Sequence, residues 1–477
     1  MSLESRSVSF FLAGIIFVSF ASFASAKTLN IGEYLEKVQQ ENLDVQASRH
    51  RLQSSESLKS QPELMYQPFV DFQLNYSDAK DTGVMSFQSS GAESKTVLFA
   101  GALRKDWMTG THTSINHIIQ KKEVEGLANP GEEYWRNSLS LKVEQDLWRN
   151  FLGQENRSGT RRIQAELEAM SKQEKFMIQQ ILIQAEASYW NYALAIESRK
   201  SLEDSLKRSS EILEWNRKRL KLNVVDRGDV LQSEAQVLRL QQSLEESKRN
   251  EKAALRSMLL NLRNEEGEER EGLEVDSLEI KDLKFEIPES WDEAARSDLE
   301  ATRSRMRAAE EDSVQTRSSL LPDLNLYASY SGNAAELSLS KAEESTLDNS
   351  YRTYEVGVKL SIPLNILGQN EVAVAKRKQA LAAAMDFNQK KRSLQSQFLD
   401  LRDQIQETLE NIKTAQQLKK TESEKLKHEQ KRFKQGRSTS FQVLSFEEDL
   451  ARADLELLRL YALARNLRSQ FRLFLGN

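Results

Sequence analysis

The histidines and acidic residues of this chain are the first place to look for catalytic or metal-binding chemistry. The sequence contains four histidines and no cysteine. His428 precedes Glu429 but lacks the second histidine of a His-Glu-x-x-His zinc motif, and His112 and His117 stand five positions apart. Neither a glycine-rich phosphate loop nor a Gly-x-Ser-x-Gly elbow occurs. We therefore predict that the protein is not an enzyme and holds no metal or cofactor.

The most informative pattern is an internal repeat. Nine residues between Arg219 and Leu262 recur in the same order 213 positions later, between Arg432 and Leu475. Leu152-Gly153-Gln154 likewise recurs as Leu367-Gly368-Gln369. The repeated unit is far longer than the 20 to 50 residues of a solenoid repeat. The pattern predicts two related halves, residues 27–264 and 289–477, joined by a charged linker at 265–288.

Composition and the N-terminus limit the class of protein. The net charge is −5, which gives no basic field for binding nucleic acid. Charged residues make up 29% of the chain and proline occurs only six times, a mixture typical of long solvated helices. Residues 1–26 combine Arg6, an apolar run and a final Ala-Ser-Ala, which predicts a signal peptide and a location outside the cytoplasm.

The proline-free stretches predict two very long helices, residues 156–222 and 370–435, each about 100 Å long at 1.5 Å per residue. Shorter helices are expected at 31–61 and 289–320. The last helix carries an unbroken series of apolar residues at spacings of three and four, which is typical of a coiled-coil seam. The series is Val443, Phe446, Leu450, Ala453, Leu457, Leu460, Ala464, Leu467, Phe471 and Phe474.

Four segments alternate apolar and polar residues, which predicts β-strands with one apolar face at about 68–78, 136–146, 323–332 and 353–363. Their length suits a tilted strand that crosses a membrane. The edge of a soluble sandwich is the alternative. In lipid the sheet must close to pair every backbone group, and four strands are too few. If these strands lie in lipid, the chain must oligomerise.

The order of elements in each half is helix, strand pair, long helix, turn, helix. In each half, Arg-x-Lys followed by Val-Leu surrounds the turn after the long helix, and the chain ends in Phe471-x-Leu473-Phe474-Leu475-Gly476. With this order and these motifs, the chain resembles the TolC-like outer-membrane efflux protein family. The resemblance implies a mainly α fold with a small β part. It also implies a homotrimer in which four strands per chain form a 12-stranded β-barrel in outer-membrane lipid and the helices form a periplasmic tunnel.

The resemblance also implies a function. Members are passive exit ducts for drugs, toxins or proteins, and they work with an inner-membrane pump and a periplasmic adaptor. A periplasmic adaptor or a structural coiled-coil protein of the envelope is the competing interpretation. An adaptor would carry one helical hairpin between β-rich halves, whereas this sequence has two hairpins, each attached to its own strand pair.

The turns at 222–229 and 435–440 match those at which the family's adaptor docks. Asn223 and Gly436 stand at equivalent positions and both suit the left-handed conformation that ends a helix. A role as helix caps alone is the alternative. The predicted contact residues are Asn223, Val224, Val225, Asp226, Arg227, Gly228, Gly436, Arg437, Ser438 and Thr439.

Family members close the tunnel with rings of acidic side chains just beyond the second turn. This chain has Gln442 and Ser445 there, and Asp229 is the first-half counterpart of Gln442. These three residues are the constriction candidates, and an ordinary solvated carboxylate is the alternative for Asp229.

The first half also carries 37 extra residues between its strands, within a predicted extracellular loop at 79–135. Residues 96–99 and 109–118 look strand-like, so a hairpin at the barrel mouth and an unstructured loop are both open.

Overall fold

The computed structural model describes residues 29–81, 92–125, 132–262, 273–280, 287–348 and 351–475. The predicted signal peptide, most of the linker, and residues 82–91 and 126–131 of the predicted 79–135 loop lie outside these ranges. The chain is mainly helical with one antiparallel sheet, as expected. The helices are α1 (Ile31–Glu41), α2 (Leu43–Ser57), α3 (Gln61–Leu64), α4 (Gln154–Lys221), α5 (Arg227–Leu259), α6 (Ser297–Ser319), α7 (Leu339–Leu347), α8 (Ile366–Lys434) and α9 (Ser440–Phe471).

The sheet contains six strands in chain order, each antiparallel to the next. They are β1 (Phe69–Asp81), β2 (Ala92–Asp106), β3 (Thr111–Glu125), β4 (Glu132–Asp146), β5 (Asp323–Glu336) and β6 (Arg352–Ser361). The predicted count of four strands per chain is therefore wrong. So is the assignment of 79–135 to an extracellular loop, because that segment supplies β2 and β3 and parts of β1 and β4.

The two long helices agree with the prediction and form hairpins with the helices that follow them, α4 with α5 and α8 with α9. The predicted seam of α9 is confirmed, because seven of its residues are buried and Phe446, Leu450 and Leu460 pack against buried clusters. Apolar side chains of α8 meet this seam, and Phe398 and Phe471 stack with ring centroids 5.5 Å apart. Within the described ranges, none of the helices has the length and apolar content needed to cross a membrane.

The shorter helices depart from the prediction at their ends. The first breaks at Asn42, whose side chain accepts hydrogen bonds from the N–H groups of Asp44 and Val45 and so caps α2. Pro62 does not end this region but lies in the first turn of α3, where its missing N–H costs nothing. The helix expected from residue 289 begins only at Ser297, because Arg296 adopts an extended conformation (ψ 92°).

A tyrosine cluster holds the described part of the linker, residues 273–280, against the middle of α4. The Tyr189 hydroxyl donates to the Leu29 carbonyl at 2.8 Å and accepts from the Asp276 N–H at 2.8 Å. The Tyr192 hydroxyl donates to the Leu273 carbonyl at 3.2 Å. Burial raises the pKa of Tyr34, packed beside Tyr189, to about 12, so this hydroxyl stays protonated.

The junction of sheet and helices depends on one glycine. Gly153 precedes α4 with φ +76°, and a Cβ there would lie 1.7 Å from the carbonyl oxygen of Met108, in the β2–β3 turn. The left-handed φ and this contact with backbone together leave no room for a side chain.

We predict that Gly153→Ala destabilises the protein strongly, since the strained φ alone costs ~1 kcal/mol and the turn must also move. Thermal unfolding followed by circular dichroism would measure the fall in melting temperature. Gly228→Ala is the matched control, because no atom lies within 4 Å of its Cβ position. Equal melting temperatures for the two variants would contradict this assignment.

Candidate functional site

The two tip turns, residues 222–226 and 435–439, join the helices of each hairpin at the end of the molecule away from the sheet. Asn223 and Gly436 both adopt the left-handed conformation, with φ 53° and 74°. The prediction that these two residues end their helices in the same way is confirmed. Among the described non-glycine residues only Leu152 shares a positive φ with Asn223.

Matching hydrogen bonds fix both turns. The Val224 N–H donates to the Arg219 carbonyl at 3.0 Å, and the Arg437 N–H donates to the Arg432 carbonyl at 2.9 Å. In each turn the N–H of the left-handed residue, Asn223 or Gly436, also donates to the carbonyl three residues earlier, at 3.0 Å in both cases. This pair of bonds is the Schellman motif, which satisfies the last carbonyls of a helix. The two turns are therefore short and well defined.

Side chains brace the second turn more strongly than the first. Glu429 accepts hydrogen bonds from the Ser438 hydroxyl and, at 3.0 Å, from Arg432. The Ser438 bond, with Arg432 beside it, holds the pKa of Glu429 below its usual range. Asn216 takes the place of Glu429 in the first hairpin and donates to the Ser233 hydroxyl at 2.6 Å. The two halves thus keep the same turn with different polar contacts.

The tips present apolar and cationic side chains to solvent. Leu222 is 72% exposed, Val224 56% and Phe441 62%. The predicted contact residues of both turns are exposed, except Val225 and Ser438, which are half-buried. Arg227 and Arg437 add positive charge. A partner with apolar and acidic side chains would complement such a surface.

The constriction candidates lie near the starts of α5 and α9, with Asp229 and Gln442 in the first turn and Ser445 in the second. Asp229 is half-buried, and its Oδ1 accepts a hydrogen bond from the Ser440 hydroxyl at 2.6 Å. Gln442 is exposed and Ser445 half-buried. Asp229 therefore links the tips of the two hairpins, a contact for which its sequence position gave no signal.

Buried carboxylates connect α4 to α9 above the tips. Glu447 is 1% exposed, and its Oε1 accepts from Arg208 at 2.6 Å and from the Ser205 hydroxyl at 3.2 Å. Glu186 accepts from Arg472 at 2.6 Å and from the Ser469 hydroxyl at 2.7 Å. Sequence reasoning missed these contacts. The one available signal was Glu447 itself, which follows the seam residue Val443 by one helical turn and so falls on the buried face.

Glu447 gives a pH-dependent test of these contacts. Burial raises the pKa of this carboxyl, and Arg208 and Ser205 offset the effect only in part. A raised pKa means that the ionised form is disfavoured in the folded state, so the group's contribution to stability is greatest at low pH and is lost as pH rises.

We predict that Glu447→Gln is at least as stable as the wild type at pH 8, and that this advantage disappears toward pH 4, near the usual glutamate pKa of about 4.3. Melting temperatures across that range would measure the difference. Glu234→Gln is the matched control, because Glu234 is the equivalent residue of the first hairpin and pairs with Arg217 at the surface. A loss of stability for Glu447→Gln at pH 8 that exceeds the loss at pH 4 would refute the assignment.

Comparisons with known proteins give a family match for part of the chain and a similar fold for nearly all of it. Residues 293–477 match the family of outer membrane efflux proteins. Curated proteins gave no significant sequence match. Among solved structures, the fold is similar to the outer membrane protein VceC of Vibrio cholerae, with 16% identity over 92% of this chain and 94% of that one and a TM-score of 0.64.

Two further solved structures have a similar fold. The outer-membrane channel OprN has 16% identity over 94% of this chain and 90% of its own, with a TM-score of 0.69. The open state of the MtrE outer membrane channel of Neisseria gonorrhoeae has 14% identity over 94% of this chain and 89% of its own, with a TM-score of 0.64. Residues 293–477 thus match the outer membrane efflux protein family, and nearly the whole chain shares its fold with solved outer-membrane channels.

Proposed function

We propose that this protein is a passive exit duct that carries small molecules or proteins across the periplasm and outer membrane. It acts as a homotrimer, within a tripartite efflux system or a type I secretion system, together with an inner-membrane pump and a periplasmic adaptor. One observation carries the proposal: a sheet with one largely apolar face is joined at one end to two antiparallel helical hairpins. At 1.5 Å per residue, the 68 residues of α4 extend about 100 Å from the sheet.

The apolar face of the sheet supports insertion in lipid. On the edge strands this face exposes more contiguous apolar surface than a soluble protein tolerates. Phe72 is 87% exposed, Val356 76% and Val358 64%. The alternate residues of the same strands are polar, including Asp71, Gln73 and Lys359. One hydrophobic and one hydrophilic face is the pattern of a barrel wall between lipid and a water-filled lumen.

The tip turns support docking of the adaptor. Helix capping alone accounts for Asn223 and Gly436, but not for the exposed Leu222, Val224 and Phe441 beside them. Apolar side chains held on rigid turns at the far end of two hairpins fit a surface that an adaptor covers. The ten turn residues remain our proposed contact residues.

The contacts between hairpins support a gating step. Asp229 with Ser440 at the tips and Glu447 with Arg208 above them hold the two hairpins together. Separating the hairpins would break these bonds and leave Glu447 charged and without its partner. Docking of the adaptor offsets this cost and favours the open form. Asp229, Gln442 and Ser445 are the residues that we propose line the constriction.

We predict that the double variant Val224→Glu/Phe441→Glu loses export while still forming trimers in the outer membrane. Both side chains are exposed, so replacing them should not disturb the fold. The added charges oppose docking because they would repel acidic groups of the adaptor and lose water when the surface is covered. Susceptibility of cells to exported compounds measures export, and heat-resistant trimers on sodium dodecyl sulfate gels measure assembly.

Leu43→Glu is the control, since Leu43 is 61% exposed at the start of α2, far from the tips. Export at the wild-type level in the double variant would refute docking at these turns. Soluble periplasmic monomers of the wild type would instead favour the adaptor or structural coiled-coil interpretation and end the channel proposal altogether.

A further inference from the structure

The inserted strands β2 and β3 have no counterpart in the second half of the chain. Both contain 15 residues, as does β4, and they pair with β1 and β4 along their whole length. We propose that this hairpin crosses the membrane as part of the barrel wall. Each chain then contributes six strands, and three chains close a ring of 18 strands by pairing β6 of one copy with β1 of the next. This inference rests on the proposed trimeric channel.

The inserted hairpin continues the apolar face of its neighbours. Along one row of the sheet, Leu74 of β1 pairs with Phe99 of β2, and Phe99 pairs with Ile119 of β3. The next row on this face contains Phe72, Gly101, His117 and Leu139, so it is apolar except at His117. In the row below that, the aligned residues are Val70, Leu103, Ile115 and Leu141. Phe99, Leu103 and Ile115 are between 44% and 53% exposed. A hairpin folded over the mouth of a barrel would not need an apolar band at the same height as the other strands.

The opposite face of β3 is largely polar, as a lumen wall requires, whereas β2 adds Leu98, Ala100 and Ala102 to that face. Ser114, Asn116 and Gln120 of β3 alternate with the apolar residues. Asn116 approaches Ser140 of β4 on this face, with Nδ2 and Oγ 3.5 Å apart. The two faces of β3 therefore match the two faces of β1 and β4.

Tryptophan and lysine mark both ends of the apolar band. Lys105 lies over the ring of Trp107 at 3.9 Å, beside the helical end of the sheet. Lys121 lies over the ring of Trp135 at 5.8 Å, near the opposite end. Tryptophan prefers the interface between lipid and water, and lysine reaches from an apolar surface to water. From Lys121 back to Thr111 the strand has about the 9–11 residues that a tilted membrane strand needs.

The turn between β2 and β3 lies at the helical end of the sheet rather than at its outer end. The Gly110 N–H donates to the Trp107 carbonyl at 3.0 Å, and Gly110 has φ +75°. This is the tight three-residue hairpin loop that ends in a left-handed glycine. The turn packs against Gly153 at the start of α4. The inserted hairpin therefore spans the full height of the sheet.

The two edges of the sheet are suited to a second copy of this chain. With six strands of alternating direction, β1 and β6 run antiparallel to each other, so β6 of one copy meets β1 of the next in the geometry found throughout the sheet. In lipid both edges must be paired. Contacts of this head-to-tail kind close into a ring when the rotation allows it. Because barrel diameter grows roughly linearly with strand number, 18 strands give a lumen about half again as wide as 12.

The topology can be tested with single cysteines, because the chain has none of its own. Thr109→Cys marks the β2–β3 turn, Leu337→Cys the opposite end of β5, and Leu367→Cys the start of α8. Intact cells are treated with a maleimide linked to a polyethylene glycol too large to pass the outer membrane. We expect labelling at 337 only, and labelling at 109 and 367 after the membrane is permeabilised.

Labelling of Thr109→Cys in intact cells to the level of Leu337→Cys would overturn the six-strand wall and leave the channel proposal standing. Failure to label Leu337→Cys in intact cells, with all three cysteines reactive in the periplasm, would overturn both. Each variant must form the heat-resistant trimer for its labelling to count.

A second pair of variants tests the wall without relying on labelling. Ile115→Arg puts a charge on the apolar face of β3, and Ile118→Arg puts the same charge on its polar face. We expect Ile115→Arg to lose most of its heat-resistant trimer and Ile118→Arg to keep it, because a charge facing lipid is costly and one facing the lumen is tolerated. Equal trimer yields would place β3 outside the membrane and overturn the inference.

Discussion

Backbone pairing in lipid is the constraint on which the architecture depends. In hydrocarbon no water is present to satisfy an N–H or C=O group, so every strand needs a partner on both sides. Within one chain β2 to β5 meet this requirement, whereas β1 and β6 each keep one open edge. Those edges also carry the most exposed apolar residues of the sheet, such as Phe72 and Val356. A single chain is therefore incomplete in a membrane, and its stability there depends on other copies.

The helical part follows a different physical rule, because it lies in water. Its hairpins are stabilised by apolar seams, and their ends by Schellman turns that satisfy the last carbonyls within the chain. Polar contacts between the hairpins include the buried carboxylates of Glu186 and Glu447 and the half-buried carboxylate of Asp229. Burial disfavours the ionised form of Glu447, so its bond to Arg208 contributes less net stability than the distance alone suggests. Rigid hairpins with weaker contacts between them suit a tunnel whose ends must separate.

Much of this fold could be predicted from the sequence where the signal is local and periodic. The seam from Val443 to Phe474 fixed the pairing of α8 and α9, and equivalent positions of Asn223 and Gly436 indicated the same turn. The predicted helix start at residue 289 is wrong, because the contacts of Arg296 decide where α6 begins. Arg296 bonds Asp298 at 2.8 Å and lies over the ring of Phe474, and no local pattern reveals this second, distant contact.

The inserted hairpin shows how a strand pair can be added without disturbing its neighbours. The alternation of apolar and polar residues in β3 is interrupted by His117, so the sequence predicts this strand only weakly. In the structure His117 bonds Asn137 at 2.8 Å. Two added strands restore the original direction, so β4 still runs toward α4 and still pairs with β5. Among the described residues, the β2–β3 turn meets the start of α4 at Gly153, where it approaches the backbone, and at Asn156, whose side chain donates to the Trp107 carbonyl. The number of strands in the wall can thus change by two per chain while the helices of the tunnel keep their number and connections.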